Sequence, residues 1–179
     1  MNSGDLVLAS CKNNWISKCI MWFTSSVFSH SFVIMPDILD TPMCVEASEG
    51  GVDTARFDKN YLNDVNEGIQ IWTLNIDQDI KDNALKTILH YLETGYGFLE
   101  YPWFMWRRLN KLFGKDIKAQ NNWNHSGMIC SQLCVTYLRA CGLDYIFEGY
   151  GEGSIAPQDL QDIFKAHSDL FTVRATFRL

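Results

Sequence analysis

Three of the chain's six cysteines fall in one stretch, HSGMICSQLCVTYLRACG, residues 125–142. Cysteine attacks carbonyl carbon as a thiolate, and only a small fraction of a free thiol is ionised near neutral pH. A helix N-terminus raises that fraction, because its unpaired N–H groups and its dipole favour negative charge. The stretch has helical periodicity, with Ile129, Leu133, Tyr137, Leu138 and Cys141 on one apolar face. Ser126 is placed to cap its start, and Gly142 to end it. Cys130 then lies in the first turn, where the dipole acts, whereas Cys134 is a turn deeper and Cys141 is near the opposite end. Cys134 and Cys141 read as small core residues, which leaves Cys130 as the candidate nucleophile.

A nucleophilic thiol needs a base, and four histidines are available. His90 falls on the polar side of a helix, His167 lies beside Ser168 and Asp169, and His125 reads as a loop or capping residue. His30 opens the apolar run SFVIM, so its ring enters a site with an apolar floor. A third group should orient the base. If residues 30–35 and 43–48 form an antiparallel hairpin, its turn centres near Leu39 or Ile38; centring at Ile38 pairs position 30 with position 46, which is Glu46. A carboxylate there would hold one imidazole tautomer and stabilise the imidazolium. Glu49 is the fallback acid.

The remaining elements must position these groups. GDLVLAS (4–10), SFVIM (31–35), MCVEAS (43–48), a segment from Gly50 to Phe57, GIQIWTL (68–74) and LFTVRATF (170–177) read as strands. Residues 12–26 read as a helix and loop. Ile80, Ala84, Leu85, Ile88, Leu89 and Leu92 recur at helical spacing up to Gly95, a candidate C′ glycine. The aromatic-rich segment 96–114 contains a short helix, 115–125 a polar loop, and Pro157 begins a last helix. Strands clustered early, with helices between the later ones, predict an α+β fold.

Composition bounds the function. A chain of 179 residues can bury a sizeable core as one domain, residues 1–179. A net charge of −6 gives no sequence-wide attraction to nucleic acid or to an anionic membrane. MNSGDLVLAS is not a secretory signal, CIMWFTSSVF is too short to span a bilayer, and the cysteines read as reduced thiols. The expected compartment at synthesis is the cytoplasm, with virion association or another export route as options. There is no CxxC pair, Gly-rich phosphate loop or HExxH motif.

Taken together, GDLVL, SHSFVIM, VEASEGGV, TGYGFLEYPW, ICSQLCVTYLRACG and SIAPQDL resemble the circularly permuted NlpC-type cysteine peptidases, in their YiiX-like branch. There the His and acid strands precede the Cys helix. The resemblance implies a papain-like α+β fold, with a small antiparallel sheet packed against the helix that carries the nucleophile. It implies Cys130 as nucleophile, His30 as base and Glu46 as third member. Tyr96 is implied near the site, assisting the oxyanion, as is a backbone N–H of Ser131 or Cys130. The aromatic-rich insert at about 98–125 is distinctive to this chain.

The leading expectation is a thiol hydrolase that cleaves an amide through an acyl-enzyme; the resemblance makes a bacterial cell-wall peptide the default substrate. The alternative keeps the triad but acts on a lipid ester or acyl group, as lecithin:retinol acyltransferase-like proteins do. That alternative would use the aromatic cluster near Arg107, Arg108 and Lys111 as an interface, although those rings are expected to fill the core beneath the insert. A binding-only module is the non-enzymatic option. A zinc site from Cys130, Cys134 and His125 lacks a fourth ligand, Cys44 being distant, so neither metal nor cofactor is expected. The expected partner is a peptide or acyl substrate, with no nucleic acid.

Overall fold

In the computed structural model, which describes residues 1–11, 15–62, 67–97, 100–115, 127–151 and 153–178, six antiparallel strands form one sheet. They are β1 (Leu6–Cys11), β2 (His30–Ile34), β3 (Met43–Ser48), β4 (Gly51–Arg56), β5 (Glu67–Leu74) and β6 (Phe171–Phe177), in the order β4-β3-β2-β1-β5-β6. The helices are α1 (Trp15–Thr24), α2 (Gln78–Leu89), α3 (Glu100–Leu112), α4 (Cys130–Ala140) and α5 (Pro157–Ala166).

Side-chain alternation separates two apolar layers. Leu6, Leu8, Val33, Val45, Ala47 and Trp72 face one way and pack against α2, α4 and α5. Val7, Ala9, Phe32, Ile34, Cys44 and Ile71 face the other way, covered by Phe57 and Tyr61 of the turn after β4. That turn, Asp58–Leu62, is a short π-helix with Tyr61 buried. The two-faced burial explains why SFVIM reads as a continuous apolar run rather than an alternating one.

Three local expectations are corrected. The β2–β3 hairpin turns at Leu39–Asp40, both at positive φ, and the strands pair Phe32 with Glu46, Val33 with Val45 and Ile34 with Cys44. Position 30 therefore does not oppose position 46. The register is centred one residue later than Ile38, which moves the partner by two and keeps Glu46 on the face it shares with His30. The helix α2 ends at Leu89, capped by His90, so Gly95 is not its C′ residue. The helix α4 begins at Cys130 itself, with Ile129 in the N-cap position, and Ser126 lies outside the described residues. Its other end follows the sequence reading. Gly142 adopts a φ of +82°, and the Gly142 and Leu143 N–H groups bond the Arg139 and Leu138 carbonyls.

The aromatic insert divides its side chains. Trp103 and Phe104 are buried with Ile129 and Ala156, whereas Met105, Trp106, Leu109, Leu112 and Phe113 are exposed. Among the described residues of the insert, the expectation that these rings fill the core holds for Trp103 and Phe104 and fails for Trp106 and Phe113. Arg107 does not face outward either. Its guanidinium bonds both Asp159 carboxylate oxygens at 2.7 and 2.9 Å and the Ser154 carbonyl at 2.7 Å, fastening α3 to the start of α5.

Candidate active site

His30, Glu46 and Cys130 come together where the first residue of β2 meets the first residue of α4. The β2–β3 ladder ends at the Phe32–Glu46 pair. One step beyond, the His30 ring places Nε2 2.7 Å from Glu46 Oε2. Glu46 reaches it diagonally across the hairpin. The His30 side chain also lies against Cys130, where it acts on the ionisation of the thiol. The hydroxyl of Tyr61 donates to the same Glu46 oxygen. The result is a continuous series: thiol, imidazole, carboxylate, phenol.

Packing holds the imidazole in place. Its ring stacks on Tyr61 with centroids 6.2 Å apart and an interplanar angle of 17°, and lies 5.6 Å from the Phe32 ring. The side chains of His30 and Glu46 are only 18% and 10% exposed, so their interaction is little screened by water.

The electrostatics follow from these contacts. Burial by itself would lower the His30 pKa, but the bonds to Cys130 and Glu46 outweigh it and raise the value to about 10. Burial would likewise raise the Cys130 thiol. The bond to His30 and its positive charge, with the Ser31 N–H, bring it below the ordinary value instead. Glu46 is also held low, against burial, by His30 and Tyr61. The other buried thiols go the opposite way: burial pushes Cys134 up to about 12 and Cys141 up to about 11, and raises Cys44 further. Of these four thiols, Cys130 is the one that its surroundings shift toward the thiolate, through the imidazole beside it.

Helix position adds to this. As the first residue of α4, Cys130 sits closer to the orphan N–H groups than the capping expectation implied. The backbone N–H groups of Cys130 and Ser131 belong to that first turn, whose N–H groups a helix leaves without intrahelical partners. The Ser131 side chain is used elsewhere. Its hydroxyl donates to the Ile155 carbonyl at 2.6 Å, tying the helix start to the loop before α5. Tyr96 arrives beside the helix through a parallel bridge to Met128. That approach requires glycine at 127, since a Cβ there would sit 2.6 Å from the Gly97 nitrogen and the Tyr96 carbonyl carbon.

Cys130 lines a cleft with Ile20, Phe23 and Thr24 of α1, Phe104 of α3, Ser29, Tyr96, Ile129, Ser131 and Pro157. The sequence-predicted residues Cys130, His30, Glu46, Tyr96 and Ser131 all lie at or beside it. Glu49 is exposed in the β3–β4 turn, and His90 caps α2 with Nδ1 2.8 Å from the Lys86 carbonyl. Sequence reasoning missed Tyr61 and Ser31. Ser31 directs its N–H at the Cys130 sulfur, and its buried hydroxyl lies against Cys130 and Cys134 with no oxygen or nitrogen partner among the described residues. Its position directly after His30 was the available signal. Tyr61 left none, being fifteen residues from Glu46 in a turn without periodicity.

No protein-family model matches the chain, and no curated protein matches it at a significant level. Among solved structures it is similar to the crystal structure described as metalloprotein YiiX from Escherichia coli O157:H7. The TM-score is 0.59 at 15% identity, over 98% of this chain and 97% of that one. At this identity the likeness speaks to the fold: an α+β, YiiX-like arrangement around a six-stranded antiparallel sheet. The metal belongs to the neighbour's description. Among the described residues of this chain, no group of three or more His, Cys, Asp or Glu is placed to hold a metal ion. The polar atoms of the site bond one another in series rather than converging on a point, so these residues do not fit a metal centre. His125 lies outside the described residues. No helix among them is long and apolar enough to cross a membrane.

Proposed function

We propose that the chain is a cysteine hydrolase of the circularly permuted papain-like type, acting on a carboxylic acyl group through Cys130, His30 and Glu46. The observation that carries this is His30 set between Glu46, 2.7 Å from its Nε2, and Cys130, which lines the cleft. The Cys130 sulfur bonds the carbonyl carbon, and the negative charge moves to the carbonyl oxygen, which the first-turn N–H groups and Tyr96 would bind. As the intermediate collapses, the bond to the leaving group breaks and His30 gives that group its proton. Water then attacks the thioester while His30 takes its proton, the carbon–sulfur bond breaks, and the acid leaves with the thiolate restored. Glu46 keeps its charge throughout and holds the imidazole in orientation, and Tyr61 steadies Glu46.

An amide of a peptide is the substrate expected from the resemblance. The cleft gives more support to an ester or amide of an acyl chain, because Ile20, Phe23, Phe104, Ile129 and Pro157 line it and few polar groups are available for a peptide backbone. A binding-only module has no comparable observation in its favour. The test is intact-mass analysis after incubation with a short activated acyl ester. The wild type should gain one acyl mass that decays by hydrolysis, and Cys130→Ala should gain none. Equal acylation of both proteins would remove the proposal.

A further inference from the structure

The helices that wall the cleft turn an apolar face outward as well as inward. On α3, Met105, Leu109 and Leu112 recur at i, i+4 and i+7, with Trp106 and Phe113 beside them, and all five are exposed. On α1, Trp15 and Trp22 are a heptad apart and are 72% and 57% exposed. The two helices also supply Ile20, Phe23 and Phe104 to the cleft above Cys130. A scattered exposed Leu needs no explanation, but seven large side chains on two helices around one cleft do.

Charge identifies the occupant. The chain as a whole carries −6, yet α1 carries Lys18 and no acid, and α3 carries Arg107, Arg108 and Lys111 against Glu100, with Lys115 just beyond it; Arg107 is taken up by Asp159. Among these, Lys18 and Lys115 are exposed beside the apolar residues. Apolar and tryptophan side chains fringed by cations, on helices too short to span a bilayer, suit an anionic lipid surface.

We propose that the outer face of α1 and α3 docks on the surface of an anionic phospholipid bilayer and that the cleft between them takes a lipid acyl group from that surface to Cys130. The substrate half of this rests on the hydrolase reading above; the docking half does not. Trp15, Trp22 and Trp106 sit at headgroup depth, Leu109, Leu112 and Phe113 enter the acyl region, and Phe23 and Phe104 continue that apolar path to the sulfur.

The experiment floats the full chain on vesicles of phosphatidylcholine with phosphatidylglycerol, as wild type, as Cys130→Ala, and as Trp22→Glu and Leu109→Glu. Wild type and Cys130→Ala should float alike, because docking needs no chemistry. Each glutamate variant should lower the bound fraction roughly tenfold while iodoacetamide still labels Cys130 at the wild-type rate, which shows an intact fold and site. A long-chain activated ester held in the vesicles should acylate wild type faster than a short soluble ester, and the glutamate variants should lose that advantage. No flotation, or flotation unaltered by both variants, overturns the proposal. So does a concentration-dependent dimer that the same variants abolish without any flotation, which would make a second copy the occupant. Flotation together with failure of both esters to acylate Cys130 overturns the hydrolase reading and the acyl substrate, and upholds the docking face.

Discussion

Replacing Glu46 by Gln removes a charge from the site with little change of shape. Both contacts of Glu46 fall on one oxygen, Oε2, which accepts from Tyr61 and faces His30 Nε2. An amide oxygen in that place can accept both bonds, so the geometry survives while the negative charge does not. With side-chain exposures of 18% and 10%, the His30–Glu46 pair is buried enough for the difference to be felt. A hydrogen bond to a charged partner contributes about 1.5–3 kcal/mol and a neutral one about 1 kcal/mol, so the imidazolium loses roughly 0.5–2 kcal/mol of support. At about 1.4 kcal/mol per pKa unit, His30 then gives up its proton about one unit lower. The assay is the pH titration of the His30 ring followed by NMR, beside iodoacetamide labelling of Cys130. The His30 midpoint should move down by about one pH unit from about 10, and the acidic midpoint of labelling, where the imidazolium is present on both sides, should not rise. An unchanged His30 midpoint in a variant whose circular dichroism matches wild type would refute the idea that Glu46 sustains the imidazolium.

Further consequences concern the surrounding contacts. Tyr61→Phe removes a donor that holds the Glu46 carboxyl low, so the acid limb of the hydrolysis profile should move to higher pH and its plateau should fall a few-fold; superimposable profiles would make Tyr61 merely a packing residue. Ser131→Ala leaves the buried Ile155 carbonyl without its 2.6 Å bond, which should lower stability by about 1–3 kcal/mol in urea unfolding with the Cys130 labelling rate unaltered. Stability should also fall on the basic side. Between the ordinary Cys value of 9.0 and the His30 value of about 10 the unfolded chain has lost the protons of both groups while the folded site still holds one on His30, so stability falls as pH rises. Thermal melts of wild type should show this basic-side loss, and those of His30→Gln should lack it.

Much of this architecture was legible in the chain because its periodicities are clean. The alternation of residues 68–74 and 170–177 and the four-residue recurrences after Asp79 place strands and a helix where β5, β6 and α2 lie. Cys130 was legible through its distance from a helix start, and His30 through the apolar run it opens. For Glu46 the turn was legible only as near Leu39 or Ile38; the pairing drawn at Ile38 is off, the strands centre at Leu39, and parity keeps Glu46 on the His30 face. Moving a hairpin centre by one residue changes the pairing by two, and a strand's faces repeat every two residues. What stayed hidden depends on contacts that no local pattern encodes. Tyr61 reaches Glu46 from a π-helical turn, and Arg107 finds Asp159 fifty-two residues away. The α3 segment misled because its aromatic residues are dense, a composition that more often fills a core. Here Trp103 and Phe104 bury one side while Met105, Leu109 and Leu112 are left outside.

The account depends on one of several buried sulfurs being an anion at rest. Site-resolved alkylation by iodoacetamide at mildly acidic pH, comparing wild type with His30→Ala, tests that most directly. Cys130 should be carboxamidomethylated rapidly in wild type and slowly once His30 is gone, while Cys134 and Cys141, held protonated by burial, stay unmodified in both. Equal and slow modification of Cys130, Cys134 and Cys141 in wild type, or a Cys130 rate indifferent to His30, would contradict it.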